Sequence, residues 1–342
     1  MAENKLPHSD QIQPMLYIHG AGHYHPESII DNAFLESLEI GTSDEWIMAR
    51  VGIEKRHTVL GLDDIKATLN KEVGQATVKM SSATMGAKAI EMALQRAGIK
   101  KDQVGMVVSA SCSPTYSLPA NACVIAKESG IDAFAVDISS ACSSFAAHIH
   151  FLNNMHIDAM PDYVVCVIPE SWTTTTDYSD RRTAVLIGDG AAAVVVSKQH
   201  VATMRVEHTL MRSNPDAWEK VQTKTGHHFH QDGLSVQKFA IKKTVETFKL
   251  LEQASDTQLN QHYFISHQAN LTMLKSVCSK LNIADEKHLF NVDQYGNCGA
   301  AGAPSVLSQN WDSFECGDRI TLVVVGAGLT WGGMTIHMGA TA

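Results

Sequence analysis

The 342-residue sequence contains no Cys-x-x-Cys pair, no long apolar run, no glycine-rich phosphate loop and no excess of basic charge. Each absence excludes a class of protein. A membrane-spanning helix needs roughly 18 or more consecutive apolar residues, and none is present. Gly-x-Gly-x-x-Gly and Gly-x-x-x-x-Gly-Lys-[Ser/Thr] are both missing, which argues against a nucleotide fold. Lys and Arg number 27 against 36 Asp and Glu, a net charge of −9, so the basic footprint that nucleic acid requires is lacking. Cysteines are few and odd in number: Cys112, Cys123, Cys142, Cys166, Cys278, Cys298 and Cys316. That count argues against a disulfide framework or zinc ribbon and points to a reducing cytoplasm, with most thiols serving as small buried apolar groups. The polar stretch 1–14 lacks the apolar core of a secretory signal and reads as a loose lead-in.

What remains is a chain that is 44% hydrophobic and only 18% charged, suited to a sizeable core. At roughly 150 residues per domain, its length suggests two domains. Short apolar runs at 104–109, 133–138, 163–168 and 191–196 read as strands buried on both faces, after a first strand at 15–19. Ala89, Ile90, Ala93, Leu94 and Ala97 share one face of a helix over about 80–98, with Gly98 as its stop. The second half repeats this grammar. Strands are expected at 263–265, 320–325 and 335–338, and helices at about 269–281 and 300–310. The pattern predicts an α/β fold with a parallel or mixed sheet. No linker separates the halves, so residues 1–200 and 201–342 are expected to be tightly fused.

Three segments carry candidate chemistry. Ser139-Ser-Ala-Cys142-Ser-Ser-Phe145 follows a buried strand and opens a helix, where free N–H groups and the helix dipole favour a thiolate. Ile265-Ser-His267-Gln-Ala-Asn270 places a histidine between strand and helix. Gln294-Tyr-Gly-Asn297-Cys-Gly-Ala-Ala-Gly302 places an asparagine in a glycine-rich turn before another helix. Each segment alone also fits a buried thiol, an ordinary histidine or a simple turn. Together they put Cys, His and Asn at corners that an α/β sheet gathers into one crevice. A thiol can accept an acyl group from a thioester. His and Asn can then hydrogen-bond the oxygen of an enolate.

These segments, with Thr42-Ser-Asp-Glu-Trp46-Ile-Met-Ala-Arg50-Val-Gly-Ile, Asp180-Arg181-Arg-Thr, Gly188-Asp-Gly-Ala191 and Leu329-Thr-Trp-Gly-Gly, resemble the β-ketoacyl-acyl-carrier-protein synthase III family. The resemblance runs from about residue 15 to the C-terminus. It implies a thiolase-like fold of two similar βαβαβαββ halves in a five-layered α-β-α-β-α arrangement, assembled as a homodimer. Cys142 matches the acyl-accepting nucleophile, and His267 and Asn297 match the pair supporting decarboxylation and condensation. The N–H groups of Cys142 and Ala327 match the oxyanion hole. Trp46 and Arg181 match the groups holding the adenine of coenzyme A, and Arg50 matches a phosphate contact. Leu118 matches a residue reaching the partner's acyl pocket. Substrates would be coenzyme A or phosphopantetheine thioesters, delivered as acyl-CoA or on an acyl-carrier protein, with no permanent cofactor and no metal.

The chain also departs from the family pattern. A Phe, three glycines and a second Phe are replaced by Val325-Gly-Ala327-Gly-Leu329. The family's arginine after His-Gln-Ala-Asn-Leu is Thr272, an Asn after Gly233 is Leu234, and Cys-Ala-Gly-Phe is Cys142-Ser-Ser-Phe145. The two serines are expected to narrow the space beside the thiol, and Ala327 to tighten the oxyanion turn. Lys238, Lys275 and Lys280 are candidates for the positive charge lost at Thr272. Val325 and Leu329 suggest room for a second substrate bulkier than malonyl, in fatty-acid, polyketide or related secondary-metabolite synthesis. Alternatives are an ester- or amide-forming acyltransferase of the same fold and a non-catalytic partner subunit. A papain-like hydrolase lacks its local signature, and a degradative thiolase lacks a second cysteine in the 326–333 turn. Glu170 is weighed as a site acid against a solvated loop residue, and Cys112 is expected to be structural. The His-x-His motifs at 23–25 and 148–150, with His227-His-Phe-His230, lack a completing zinc ligand and are expected to be solvated or capping.

Overall fold

The computed structural model describes residues 15–254 and 259–340, so the lead-in at 1–14 lies outside the described residues. The chain opens with β1 (Tyr17–Tyr24), β2 (Ser28–Asp31), α1 (Asn32–Ser37), α2 (Asp44–Arg50), β3 (Lys55–Thr58) and α3 (Leu62–Thr68). Then come α4 (Ser82–Ala97), β4 (Val104–Ser109), α5 (Asn121–Ser129), β5 (Phe134–Asp137), α6 (Ser144–Asn154), β6 (Tyr163–Glu170), α7 (Arg181–Ala184) and β7 (Gly190–Ser197). The second half holds β8 (Met204–Ser213), β9 (Val221–Thr223), β10 (Phe229–Gln231), α8 (Gly233–Gln253), β11 (His262–Ser266) and α9 (Leu271–Leu281). It ends with β12 (His288–Leu289), α10 (Val292–Tyr295), α11 (Gly302–Gln309), β13 (Arg319–Gly326) and β14 (Thr330–Met338).

Ten strands form one mixed sheet in the order β12-β11-β13-β14-β8-β1-β7-β6-β4-β5. Read outward from its centre, β1-β7-β6-β4-β5 and β8-β14-β13-β11-β12 repeat one topology. In each half, two antiparallel pairings lead to two parallel ones. The halves join through the short antiparallel pairing of Tyr17 with Arg205 and Ile18 with Met204.

Helices cover both faces. α4 and α5 pack outside the first half, and α8 packs outside the second, against β13, β14 and α9. The helices between the halves are exchanged. α6 of the first half lies against β8 and β14, and α11 of the second half lies against β1 and β7. The layers thus run α-β-α-β-α. β6, β7 and nearly all of β13 are buried on both faces, which explains their unbroken apolar sequences.

The sequence reading assigned nothing to β8 or α8. β8 alternates buried Met204, Val206 and Leu210 with half-exposed polar residues. The buried face of α8 is built from Ala240, Thr244, Thr247, Phe248 and Leu251, so threonines dilute its hydrophobic period. Among the described residues, no helix is long and apolar enough to cross a membrane.

Close packing of α4 on β1 depends on Gly20 and Gly22. A Cβ at Gly22 would fall against the carbonyl of Ala89, and one at Gly20 against the carbonyl of Ala93. Neither is a flexible side-chain end, so neither can yield cheaply. Gly22→Ala is expected to destabilise the protein by roughly 1–3 kcal/mol. Gly233→Ala is the control, because nothing approaches that position. Urea-unfolding midpoints check this; equal midpoints for the two variants would contradict the packing argument.

Candidate active site

The loops that leave the carboxyl ends of β5, β6, β11 and β13 converge on one cavity of about 700 Å³. Cys142, His267 and Asn297 all line it. Each is nearly buried, at 6%, 6% and 7% exposure, so their polar ends share a site largely withdrawn from water.

Cys142 stands at the N-terminal approach to α6. The residue before it, Ala141, holds a left-handed φ of 46°, uncommon for a residue with a Cβ. Hydroxyls stabilise this turn. Ser143 Oγ donates to Ser140 O (2.7 Å), Ser144 Oγ donates to Ala141 O (2.6 Å), and Ser140 N–H donates to Ser144 Oγ (2.9 Å). Ser143 and Ser144 are fully buried and absent from the cavity lining. They brace the turn, and the expected narrowing beside the thiol does not occur.

The glycine-rich turn between β13 and β14 lies against this corner. A Cβ at Gly326 would come within 2.8 Å of Ser143 N and 3.1 Å of Cys142 N, so only glycine permits the approach. In the turn that follows, left-handed φ values fall on Gly328 (72°) and Leu329 (45°). Ala327 needs no such φ, and alanine in place of glycine is accommodated without strain. Val325, Ala327 and Leu329 all border the cavity.

His267 continues β11, its N–H donating to Val323 O of β13 (2.9 Å). Its neighbours hold the segment in place. Gln268 Nε2 donates to Ser266 O (2.7 Å) and Gln268 Oε1 accepts from Asn291 N–H (3.0 Å). Asn270 Oδ1 caps α9 by accepting from Met273 N–H (3.0 Å). His267 Nδ1 is buried without a hydrogen-bond partner among the described residues. Asn297 is fixed by its backbone N–H to Leu186 O (2.8 Å) and by its Oδ1, which accepts from Gly299 N–H (3.0 Å). With its carbonyl engaged, its amide NH₂ is the end available to a ligand.

Two further groups belong to the site. Glu170 ends β6 and is 0% exposed, which overturns the solvated-loop reading. Its Oε2 accepts from Cys112 N–H (2.8 Å) and Ser111 Oγ (3.1 Å), and its Oε1 accepts from Ala300 N–H (3.2 Å). One carboxyl thus ties the 111–113 loop to the turn that carries Asn297. Burial, with the charge of Cys142, pushes its pKa up to about 8. The second group is Cys112, whose Sγ lies 3.9 Å from Cys142 Sγ. The sequence reading took it as structural. The available signal was position, since both residues sit at or just after the carboxyl end of a buried strand.

Cys142 is held well below the ordinary thiol pKa, first by Cys112 and then by His267, against the upward push of burial. Cys112 is raised well above it by Cys142, by burial and by Glu170. Cys166, Cys278 and Cys298 are buried, as expected of small apolar residues, whereas Cys123 and Cys316 are exposed. The 171–176 stretch is a tight turn with Trp172 buried beneath the cavity, edge-on to Phe229 at 4.7 Å.

At the mouth, the guanidinium groups of Arg50 and Arg181 both stack on Trp46, at 4.7 and 4.8 Å from its ring centroid. Arg181 also donates to the carbonyl of Gly41. Leu118 is 86% exposed and does not border the cavity. Lys238, Lys275 and Lys280 are exposed and do not line it.

The histidine motifs divide: His227 and His230 are exposed, as expected, whereas His25 and His148 are packed inside. His25 stacks on Tyr295 at 3.8 Å, and burial lowers its pKa to about 3. His148 Nε2 pairs with Ile138 O (2.8 Å), and burial lowers its pKa to about 4. Among the described residues, no three His, Cys, Asp or Glu side chains are grouped to hold a metal.

Comparison with known proteins agrees with this geometry. Residues 136–215 match the model of 3-oxoacyl-[acyl-carrier-protein] synthase III, and residues 251–338 match that of its C-terminal part. The β-ketoacyl-[acyl-carrier-protein] synthase III of Aliarcobacter butzleri is 32% identical, covering 91% of this chain and 94% of its own. That of Campylobacter curvus is 30% identical over 92% and 95%. The crystal structure of 3-oxoacyl-[acyl-carrier-protein] synthase III from Aquifex aeolicus superimposes with a TM-score of 0.82 at 28% identity, covering 94% of this chain and 99% of that one. With relatives matching over nine-tenths of its length and Cys142, His267 and Asn297 meeting in one cavity, the chain belongs to the 3-oxoacyl-[acyl-carrier-protein] synthase III family of thiolase-fold condensing enzymes.

Proposed function

We propose that the protein joins two acyl thioesters, with Cys142 as the acyl acceptor and with His267 and Asn297 supporting the second substrate. The observation that carries this reading is the meeting of these three nearly buried side chains in one cavity at a helix N-terminus. In the first step, the Cys142 thiolate attacks the acyl carbonyl of acyl-CoA or an acyl-carrier thioester. The N–H groups of Cys142 and Ala327 stabilise the oxyanion, and the donor's thiolate leaves and takes a proton. In the second step, a malonyl thioester loses CO₂, or a β-ketoacyl thioester gives its α-proton to the His267 ring, leaving an enolate. His267 and Asn297 hydrogen-bond its oxygen. The carbanion attacks the acyl carbon, and collapse releases the β-keto product and regenerates the Cys142 thiolate.

Trp46, Arg50 and Arg181 supply an aromatic and cationic rim suited to the nucleotide end of coenzyme A. Gln237 borders the cavity one turn after Leu234 and offers an amide to the pantetheine arm. Val325 and Leu329 occupy less volume than two phenylalanines, which supports a second substrate bulkier than malonyl in a specialised pathway of the cytoplasm.

A second copy of the chain completes the unit in this proposal. β5 is an edge strand of the sheet with Phe134 64% exposed. Tyr116 and Leu118, in the loop before α5, are exposed as well. An open edge with apolar groups beside it favours pairing with another chain.

Three outcomes are expected. Incubation with acyl-CoA should add one acyl mass to the intact protein and none to Cys142→Ser. A malonyl or β-ketoacyl thioester should then discharge it as a β-keto product. Loading that neither discharges would favour an ester- or amide-forming acyltransferase, and no loading from CoA or carrier would favour a non-catalytic subunit. Val325→Phe should lower the kcat/KM ratio of long β-ketoacyl to malonyl substrates by about tenfold, and an unchanged ratio would remove Val325 as a determinant. Light scattering on the eluting protein should give about twice the chain mass, and Phe134→Lys should give the single-chain mass.

A further inference from the structure

The mechanism above uses one thiol, whereas the site holds two. Cys112 is not carried there by a loose loop. Its N–H is held by Glu170 Oε2 (2.8 Å), and Ser111 Oγ donates to the same oxygen (3.1 Å). Ser113 N–H donates to Ser111 Oγ (3.1 Å), and Ser171 N–H donates to Ser113 Oγ (3.1 Å). Three of these hydrogen bonds fix the 111–113 segment to the end of β6, and the fourth braces the segment itself. The side chain packs against the buried cluster of Cys142, Trp172, Ile187 and Phe229. Its sulfur meets that of Cys142 at 3.9 Å, a hydrogen-bonding separation for two sulfurs.

Two adjacent thiols share one proton preference, and their surroundings decide which keeps it. Cys142 has the N-terminus of α6 behind it and His267 facing it from the end of β11. Cys112 has the Glu170 carboxyl against its backbone, facing it from β6. Negative charge is therefore favoured on Cys142, whereas Cys112 is buried beside a carboxyl that offers it no donor and adds a second charge as it ionises near pH 8, so the proton belongs to Cys112. The pKa directions of the two thiols agree with this assignment.

We propose that Cys112 is a further catalytic residue, whose S–H donates a hydrogen bond to the Cys142 thiolate. This rests on the assignment of Cys142 as the nucleophile. The donor acts at two moments. It stabilises the thiolate before acylation, and it receives the same thiolate again when the product is released. No proton changes hands, because Cys112 keeps its hydrogen throughout. The 326–333 turn contains no cysteine, so the second thiol of this site comes from the β4 side instead.

The test is alkylation of Cys142 by iodoacetamide, followed by peptide mass spectrometry from about pH 5 to pH 10, since only the thiolate reacts. No acyl substrate is present, so the result is independent of the condensing reaction. Cys112→Ala should raise the titration midpoint of Cys142 and slow its alkylation about tenfold near neutral pH, the scale of one hydrogen bond to a charged group. Cys112→Ser keeps an O–H donor in place and should retain most of the wild-type rate. A void alone would not be rescued in this way. Identical midpoints in all three proteins, or a serine variant as slow as the alanine one, would overturn the proposal. Should the alanine variant fail to fold, the wild type provides a second check. Diamide, which takes up two hydrogens as two thiols become a disulfide, should link the Cys112 and Cys142 peptides. Absence of that link under conditions that oxidise the exposed Cys123 would show that the sulfurs are not neighbours.

Discussion

Gly326 meets the amides of Cys142 and Ser143 at the point where the two halves of the molecule come together. Its backbone fits there only because it lacks a Cβ, which would sit 2.8 Å from one of those nitrogens. The contact aligns the turn after β13 with the N-terminus of α6. It thereby sets Cys142 of the first half against the cavity wall of the second. Ser143 Oγ and Thr330 Oγ1 strengthen the same junction at 2.7 Å. The exchanged central helices, α6 on β8 and α11 on β1, carry the two corners toward each other. His267 and Asn297 depend on this junction, since neither is near Cys142 in sequence.

Around that junction, charge is sorted across a few ångströms. Glu170 and Cys112 lie on the β4–β6 side, and His267 lies on the β11–β13 side. Cys142 stands between them with the helix terminus behind it. Glu170 also holds Ala300, so one buried carboxyl connects the second thiol to the asparagine turn. Burial alone would raise every acidic group here. The depression of Cys142 therefore reports its partners and not its exposure.

Several substitutions that look disruptive in sequence are locally absorbed. The serines after Cys142 replace small residues yet point into the turn, where their hydroxyls satisfy backbone carbonyls. Ala327 stands at the one position of its turn that needs no left-handed backbone, since Gly328 and Leu329 take that strain. The replacements at Val325 and Leu329 differ in kind. Both border the cavity, so they alter the space offered to a substrate without altering the turn that carries them.

Much of the fold was legible because strands buried on both faces must be apolar throughout. β6, β7 and β13 stand as unbroken runs, and α4 shows its packed face at helical spacing. β8 and α8 were illegible because half-exposed polar residues and buried threonines blur the period. Cys142, His267 and Asn297 could be read from their places between strand and helix, where backbone geometry alone leaves side chains free to act. For Cys112 and Glu170 position at a strand end was the one signal, because what they touch arises from distances across segments 30 to 130 residues apart in sequence. A sequence determines local preference by steric and hydrogen-bonding rules that act over a few residues. Which thiol keeps its proton, whether a serine fills a cavity or braces a turn, and which glycine has no substitute are decided only when remote backbones close to contact.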